Sequence, residues 1–246
     1  MLSAYFDASG GTDQYATVVS GYVSTVDRWE RFDADWRLLL AKEKVPYFHM
    51  NEFAGSRKVY KDWKGNEVRR ARFLSQLAEI ISAHALRSFS AILFNRQFYE
   101  LNERYELRER VGNPYTFCAR TCAAKAREWM QRDGYNNRPI EYVFEAGDRG
   151  KGLLRTIFKR DLLPEPIFRP KLPQPGYDQR GILTPLQAAD FVAWEHQKSV
   201  RQIVEKRLTR LRKSLEALRN IEKDWGIYTP KKLLQFCETT GIPKRS

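Results

Sequence analysis

The chain has 246 residues, 42% of them hydrophobic and 13% aromatic, which supplies a packed core and excludes a globally disordered chain. Lys and Arg number 43 against 30 Asp and Glu, a formal net charge of +13. An excess of that size points to a polyanionic partner, nucleic acid first, with a merely basic soluble protein as the alternative. The cysteines are Cys118, Cys122 and Cys237, a number and spacing that exclude a disulfide framework and fit a reducing compartment, the cytoplasm. No apolar run approaches the ~20 residues of a membrane span, and the opening Met-Leu-Ser-Ala-Tyr-Phe-Asp lacks the basic-then-apolar pattern of a targeting segment.

In chain order, Leu2 to Phe6 reads as a short strand ending at Asp7-Ala8-Ser9-Gly10-Gly11, with Tyr15 to Val23 as its hairpin partner. From Val26 to Glu43 the apolar spacing becomes helical, with Trp29, Phe32, Trp36, Leu39 and Leu40 on one face. A loop holding Pro46, Phe48, His49 and Phe53 follows, and Asn66 to His84 forms a second helix. Leu86 to Phe94 is a third strand, and Asn113-Pro114 opens a helix to about Gln131 because Pro suits the first turn. Cys118 and Cys122 sit four apart on it, as buried small hydrophobes or as half of a zinc site. Ile140 to Phe144 is a fourth strand, running into Glu145-Ala146-Gly147-Asp148. Gly152 to Arg160 is a short helix. The Pro-rich stretch Leu162 to Pro185 is mostly loop, with one short strand near Ile167 to Pro170, before a helix from Leu186 to His196.

Beyond that helix, Val204, Leu208, Leu211, Leu215, Leu218 and Trp225 alternate at four and three, the seam of a long amphipathic helix. Arg201, Lys206, Arg207, Arg210, Arg212, Lys213, Arg219 and Lys223 occupy its other faces. Three uses are open: packing on its own domain, a homodimer seam, or gripping nucleic acid. The expected division is a domain over 1–200 and a basic helical extension over 201–246.

Three acids stand out. Asp7 closes an apolar strand, where a charge is costly to desolvate unless it is used, although Asp-Ala-Ser-Gly is equally good turn chemistry. Glu145 repeats the arrangement at the end of a second strand. Asp148 then reads as a helix cap or a further ligand. Asp190 sits mid-helix in the small-residue run L-Q-A-A-D-F-V-A-W, so it needs a metal ion or a basic side chain to offset its charge, with Gln187 and Trp194 on its face. Carboxylates brought together repel, and a hard divalent ion such as Mg²⁺ or Mn²⁺ removes that conflict.

The Y-F-D-A-S-G start, V-V-S-G-Y-V hairpin, W-x6-W helix, F-H-M-N-E-F segment, F-E-A-G-D-R-G turn and L-Q-A-A-D-F-V-A-W helix, in that order, resemble the family called domain of unknown function 3800. It is regarded as a divergent branch of the ribonuclease-H-like fold, and the resemblance covers roughly residues 1–200. It implies an α/β architecture, a ribonuclease-H-like mixed sheet flanked by helices. By that pattern Asp7 bridges two Mg²⁺ or Mn²⁺ ions, Glu145 is the second ligand and Asp190 completes the site. His49 and Glu52 of F-H-M-N-E-F join as a phosphate contact or proton shuttle and a fourth ligand, with a satisfied buried histidine as the alternative. The implied function is a two-metal nuclease acting on DNA or RNA, with an effector of defence or of a mobile element as its expected setting. The alternatives are a non-catalytic nucleic-acid-binding module and an oligomerisation protein.

Overall fold

A computed structural model describes residues 1–10, 15–147, 150–173, 183–204 and 213–245. Strand β1 (Leu2–Ser9) pairs antiparallel with β2 (Ala16–Thr25), and β2 pairs antiparallel with β3 (Arg87–Phe94). On the other side of β1, β4 (Ile140–Glu145) runs parallel to it, and β5 (Ile167–Arg169) runs parallel to β4. With β6 (Lys223–Tyr228) parallel to β3, the six-stranded mixed sheet has the order β5-β4-β1-β2-β3-β6. The strand carrying Asp7 is therefore central, and its neighbour on one side carries Glu145.

Helices cover both faces, which is why β1 and β2 are buried nearly throughout, their serines and threonines included, rather than on one face alone. One face takes Phe6, Phe89, Leu93 and Phe144 against α6 (Pro114–Arg132), backed by α4 (Asn95–Asn102), α5 (Leu107–Val111) and α7 (Lys151–Arg160). Asn113 caps α6 by accepting from the Thr116 N–H at 2.9 Å, and Pro114 follows it, as the sequence predicts. Cys118 and Cys122 point into this core, with their sulfurs on the Thr17 and Val19 carbonyls at 3.7 and 3.4 Å. Burial pushes both thiols up, so they act as small hydrophobes.

The opposite face packs α1 (Val26–Glu43), α3 (Glu67–His84) and α8 (Thr184–Val204). Between α1 and α3 lie a short helix, α2 (Met50–Ala54), and a 3₁₀ turn (Lys58–Trp63), where the sequence predicts only loop. Trp29, Phe32, Trp36, Phe48, Phe73 and Phe191 fill this layer. Ser20 on β2 and Ser90 on β3 are paired neighbours, and such small residues let α8 approach the sheet closely. No helix among the described residues is long and apolar enough to cross a membrane.

The single long helix expected from Val204 to Trp225 is not what forms. Helix α9 covers only Lys213–Glu216, and Trp225 lies on β6, in register with Ser90. The apolar spacing satisfied a helical template, but the open edge of β3 offers Asp224 to Tyr228 backbone hydrogen bonds that a free helix cannot match. Leu215 and Leu218 turn inward onto α1, α3 and α8, so those two positions offer no face to a second copy of the chain. Leu208 and Leu211, with Lys206, Arg207, Arg210 and Arg212, lie outside the described residues. The extension expected over 201–246 thus supplies the sheet's last strand and the closing helix α10 (Pro230–Thr239), whose Leu233 and Cys237 are buried in the core on the α6 side.

Under α8, His196 Nδ1 lies 3.0 Å from both the Ser20 and Ser90 hydroxyls, and its ring stands edge-on to Trp225 at 4.1 Å. Burial, helped by the Lys223 charge, pulls its pKa down to about 3, so it is neutral in the fold. Unfolding lets it rise to the ordinary value, so the folded state binds fewer protons between those limits. Stability is full above pH ~6.5 and is lost as pH falls, by at most about 1.4 kcal/mol per unit. Urea unfolding should find wild type about 2 kcal/mol less stable at pH 5 than at pH 7 from this group. His196→Gln should lack that component. Equal pH dependence in the two proteins would refute it.

Candidate functional site

The C-terminal end of β1 brings Asp7 to the face covered by α8. The register pairs Asp7 with Ser20 on β2, and Phe6 with Phe144 on β4, so the next position on β4, Glu145, shares that face. Asp190 approaches from α8 above. Asp7 and Asp190 are 2% and 6% exposed.

The two aspartates converge on one cation, the ammonium of Lys171. Its Nζ lies 2.5 Å from Asp7 Oδ2 and 3.0 Å from Asp190 Oδ1. Lys171 follows β5, and the pairing of Glu145 with Arg169 fixes where the chain leaves the sheet. Burial alone would lower the lysine pKa, but Asp7 and Asp190 outweigh it and hold the ammonium charged. Burial likewise pushes Asp190 up, yet Lys171, His49 and the Met50 N–H prevail and keep its carboxyl below the usual range.

Gln187 assembles the surroundings. Its Oε1 accepts from the Phe48 N–H and the Trp36 indole N–H, each at 2.9 Å, and its Nε2 donates to the Lys171 carbonyl at 3.0 Å. One buried amide thereby ties α1, the segment before α2 and the segment after β5 to α8. One turn on, the Met50 N–H donates to Asp190 Oδ2 at 2.6 Å, so the F-H-M-N-E-F segment docks on the acid by its backbone.

The predicted residues separate into groups. His49 stands between two acids, Nε2 3.9 Å from Asp190 Oδ1 and Nδ1 3.1 Å from Glu52 Oε1. Glu52 is set apart from the aspartate pair, engaged by Lys58 at 2.7 Å and the Tyr47 hydroxyl at 2.9 Å. Burial pushes Glu52 up, but Lys58, His49 and Tyr47 outweigh it and leave its carboxyl below the usual range. Glu145 is buried and turns back along its own chain to accept the Gly147 N–H. A Cβ at residue 147 would meet Glu145 Oε2 at 2.6 Å, the movable end of that side chain. Asp148 lies outside the described residues. Among the described residues, no three His, Cys, Asp or Glu side chains are gathered as a metal cluster, and the cation at the centre is Lys171.

Sequence reasoning anticipated that Asp190 needed a metal or a basic partner but did not find Lys171. No local pattern marks that lysine, which stands in a Pro-rich stretch far from both aspartates in sequence. The only available signal was the short strand before it, which had to pair somewhere. A scan against protein-family models finds no match to this chain, and neither does a search of curated proteins.

Proposed function

We propose that this protein is a divalent-metal-dependent nuclease. The observation that carries the reading is the meeting of two buried aspartates, from a strand end and a helix, at one cationic centre in a chain of formal charge +13. The architecture, a mixed sheet flanked by helices with the acids at the end of β1, the end of β4 and mid-α8, is compatible with a ribonuclease-H-like nuclease.

The donor set fits Mg²⁺ or Mn²⁺. Asp7 and Asp190 are hard oxygen donors already within 3.0 Å of one positive nitrogen, and Glu145 is the adjacent carboxylate on the same face. Asp7 and Asp190 would hold the metal, joined by Glu145 once it leaves the Gly147 N–H. The ion would supply an activated water and stabilise the leaving oxygen of a phosphodiester. Lys171, released from the aspartates, would become a cation for a substrate phosphate, and His49 stands beside Asp190 to contact phosphate or relay a proton. The chain's formal charge of +13 would favour the backbone of DNA or RNA as partner.

The test is cleavage of single- and double-stranded DNA and RNA with Mg²⁺ or Mn²⁺. Asp7→Asn and Asp190→Asn should each lower the rate at least about a hundredfold, since losing a ligand forfeits several kcal/mol of charge stabilisation. Full activity in both variants would end the nuclease reading. The same lysine favours a second reading, a non-catalytic nucleic-acid-binding module, because it already neutralises the aspartates. That protein would bind with a steep salt dependence, indifferent to chelation, and would cleave nothing.

A further inference from the structure

We infer that the groove beside the carboxylate site is a subsite for an unstacked nucleobase, which makes single-stranded nucleic acid the substrate class. The inference rests on the nuclease reading for its orientation but not for its test. The groove is a cavity of about 670 Å³, walled by Met50 and Phe53 of α2, Arg70 and Leu74 of α3, Trp194 of α8 and Ala217 beyond α9. That volume lies within the range of small-molecule sites and exceeds what one base needs.

Two residues connect the groove to the acids. Met50 donates its backbone N–H to Asp190 and lines the groove with its side chain. Trp194 lies four residues after Asp190 on α8, one helical turn or about 6 Å along the axis on the same face. A phosphate at the aspartates therefore has an indole within reach of its neighbouring base.

Charge selects which part of the nucleotide enters. Inside the groove, Arg70 is already committed, 3.4 Å from Glu67 and donating to the Phe53 carbonyl at 3.0 Å and the Ser56 hydroxyl at 2.6 Å. Glu67 is a groove residue as well, so among the described residues the groove's arginine is matched by an acid and leaves no surplus positive charge to hold a phosphate. Among the described residues a cation stands at the rim, Lys198, whose Nζ lies over the Trp194 ring 5.3 Å from its centroid, and Arg201 follows one turn further on. Apolar walls and an aromatic face inside, with lysine outside, suit a base stacked on Trp194 and a backbone passing Lys198. A duplex keeps its bases stacked and cannot offer one here without flipping it.

The experiment is fluorescence anisotropy with labelled oligonucleotides of about 10 nucleotides and full-length protein at fixed low salt in EDTA, so that no cleavage intervenes. Trp194→Leu should raise Kd for single strands about tenfold and leave duplex binding within about twofold, while Trp194→Phe should retain most of the affinity. An oligonucleotide with abasic positions should lose the same factor on wild type and nothing further on Trp194→Leu, which tests the contact even without the variant. Equal binding of intact and abasic strands by wild type would overturn the proposal. So would unchanged single-strand affinity in Trp194→Leu. A protein that cleaves nothing with any metal, yet binds single strands through Trp194, would retire the nuclease reading and uphold the subsite. Cleavage indifferent to both Trp194→Leu and abasic substitution would do the reverse.

Discussion

Lys171→Met should destabilise the metal-free protein by about 3–5 kcal/mol, because it strands two buried carboxylates without their shared cation. Asp7 would keep its bond from the Ala8 N–H at 2.9 Å, and Asp190 the one from the Met50 N–H, but neither partner is a full positive charge. Mutual repulsion then adds to desolvation, and both push the pair toward sharing a proton. In a chain of this length the loss corresponds to a melting temperature lower by roughly 10 °C in EDTA. Mn²⁺ or Mg²⁺ should restore it, since a metal that binds the folded state at about a hundred times its Kd returns nearly 3 kcal/mol. Wild type should gain less from the same metal, because the ion must first displace the ammonium. Thermal unfolding of both proteins with and without Mn²⁺ reads all of this at once. A destabilised variant that no divalent ion rescues would argue against a metal at these aspartates. A variant as stable as wild type in EDTA would show that the ion pair is not holding the site together.

Gly21→Ala should cost at least about 3 kcal/mol and leave little soluble protein, although residue 21 lies outside the candidate site. Gly21 sits mid-β2, opposite Phe6 on β1 and Phe89 on β3. A Cβ there would fall 1.8 Å from the Tyr5 carbonyl oxygen and 2.7 Å from Phe6 Cδ1. The first obstacle is backbone within a hydrogen-bonded ladder, so it cannot rotate away as a side chain would. Glycine inside a strand marks such close approach of another backbone. Forcing β1 and β2 apart also moves Asp7, one residue beyond Phe6, away from Lys171. Denaturation of Gly21→Ala within 1 kcal/mol of wild type would contradict this account.

Local pattern carried most of the element assignment. Trp29, Phe32, Trp36, Leu39 and Leu40 repeat at helical spacing, and Val26–Glu43 is helical. Asn113-Pro114 and Asn66 announce helix starts through caps that the structure contains. Strands β1 to β4 are legible as β-branched and aromatic runs, with β1 and β4 followed closely by glycine and β3 by asparagine. Helices α4, α5 and α10 have no clear sequence signature because their apolar runs are short and broken by charges. Spacing alone puts Trp225 on a helical seam, because six apolar positions over some twenty residues fit a helix as well as a turn followed by a strand.

The amino-acid sequence by itself determined that Asp7 lies near the end of a strand, with a turn residue equally open there, and that Asp190 sits mid-helix among small residues, where its charge demands compensation; the strand in fact runs two residues past Asp7, to Ser9. It also determined the positive charge, which depends on composition alone. Tertiary structure decided what the compensation is. Lys171 reaches Asp7 and Asp190 only because β5 pairs with β4 and Gln187 holds the Lys171 carbonyl. Register placed Glu145 beside Asp7, and a local bond to Gly147 then turned its side chain aside. The physical reason is range: capping and periodicity act over a few residues along the chain, whereas a buried charge is neutralised by whichever group the fold brings within about 3 Å, at any sequence separation.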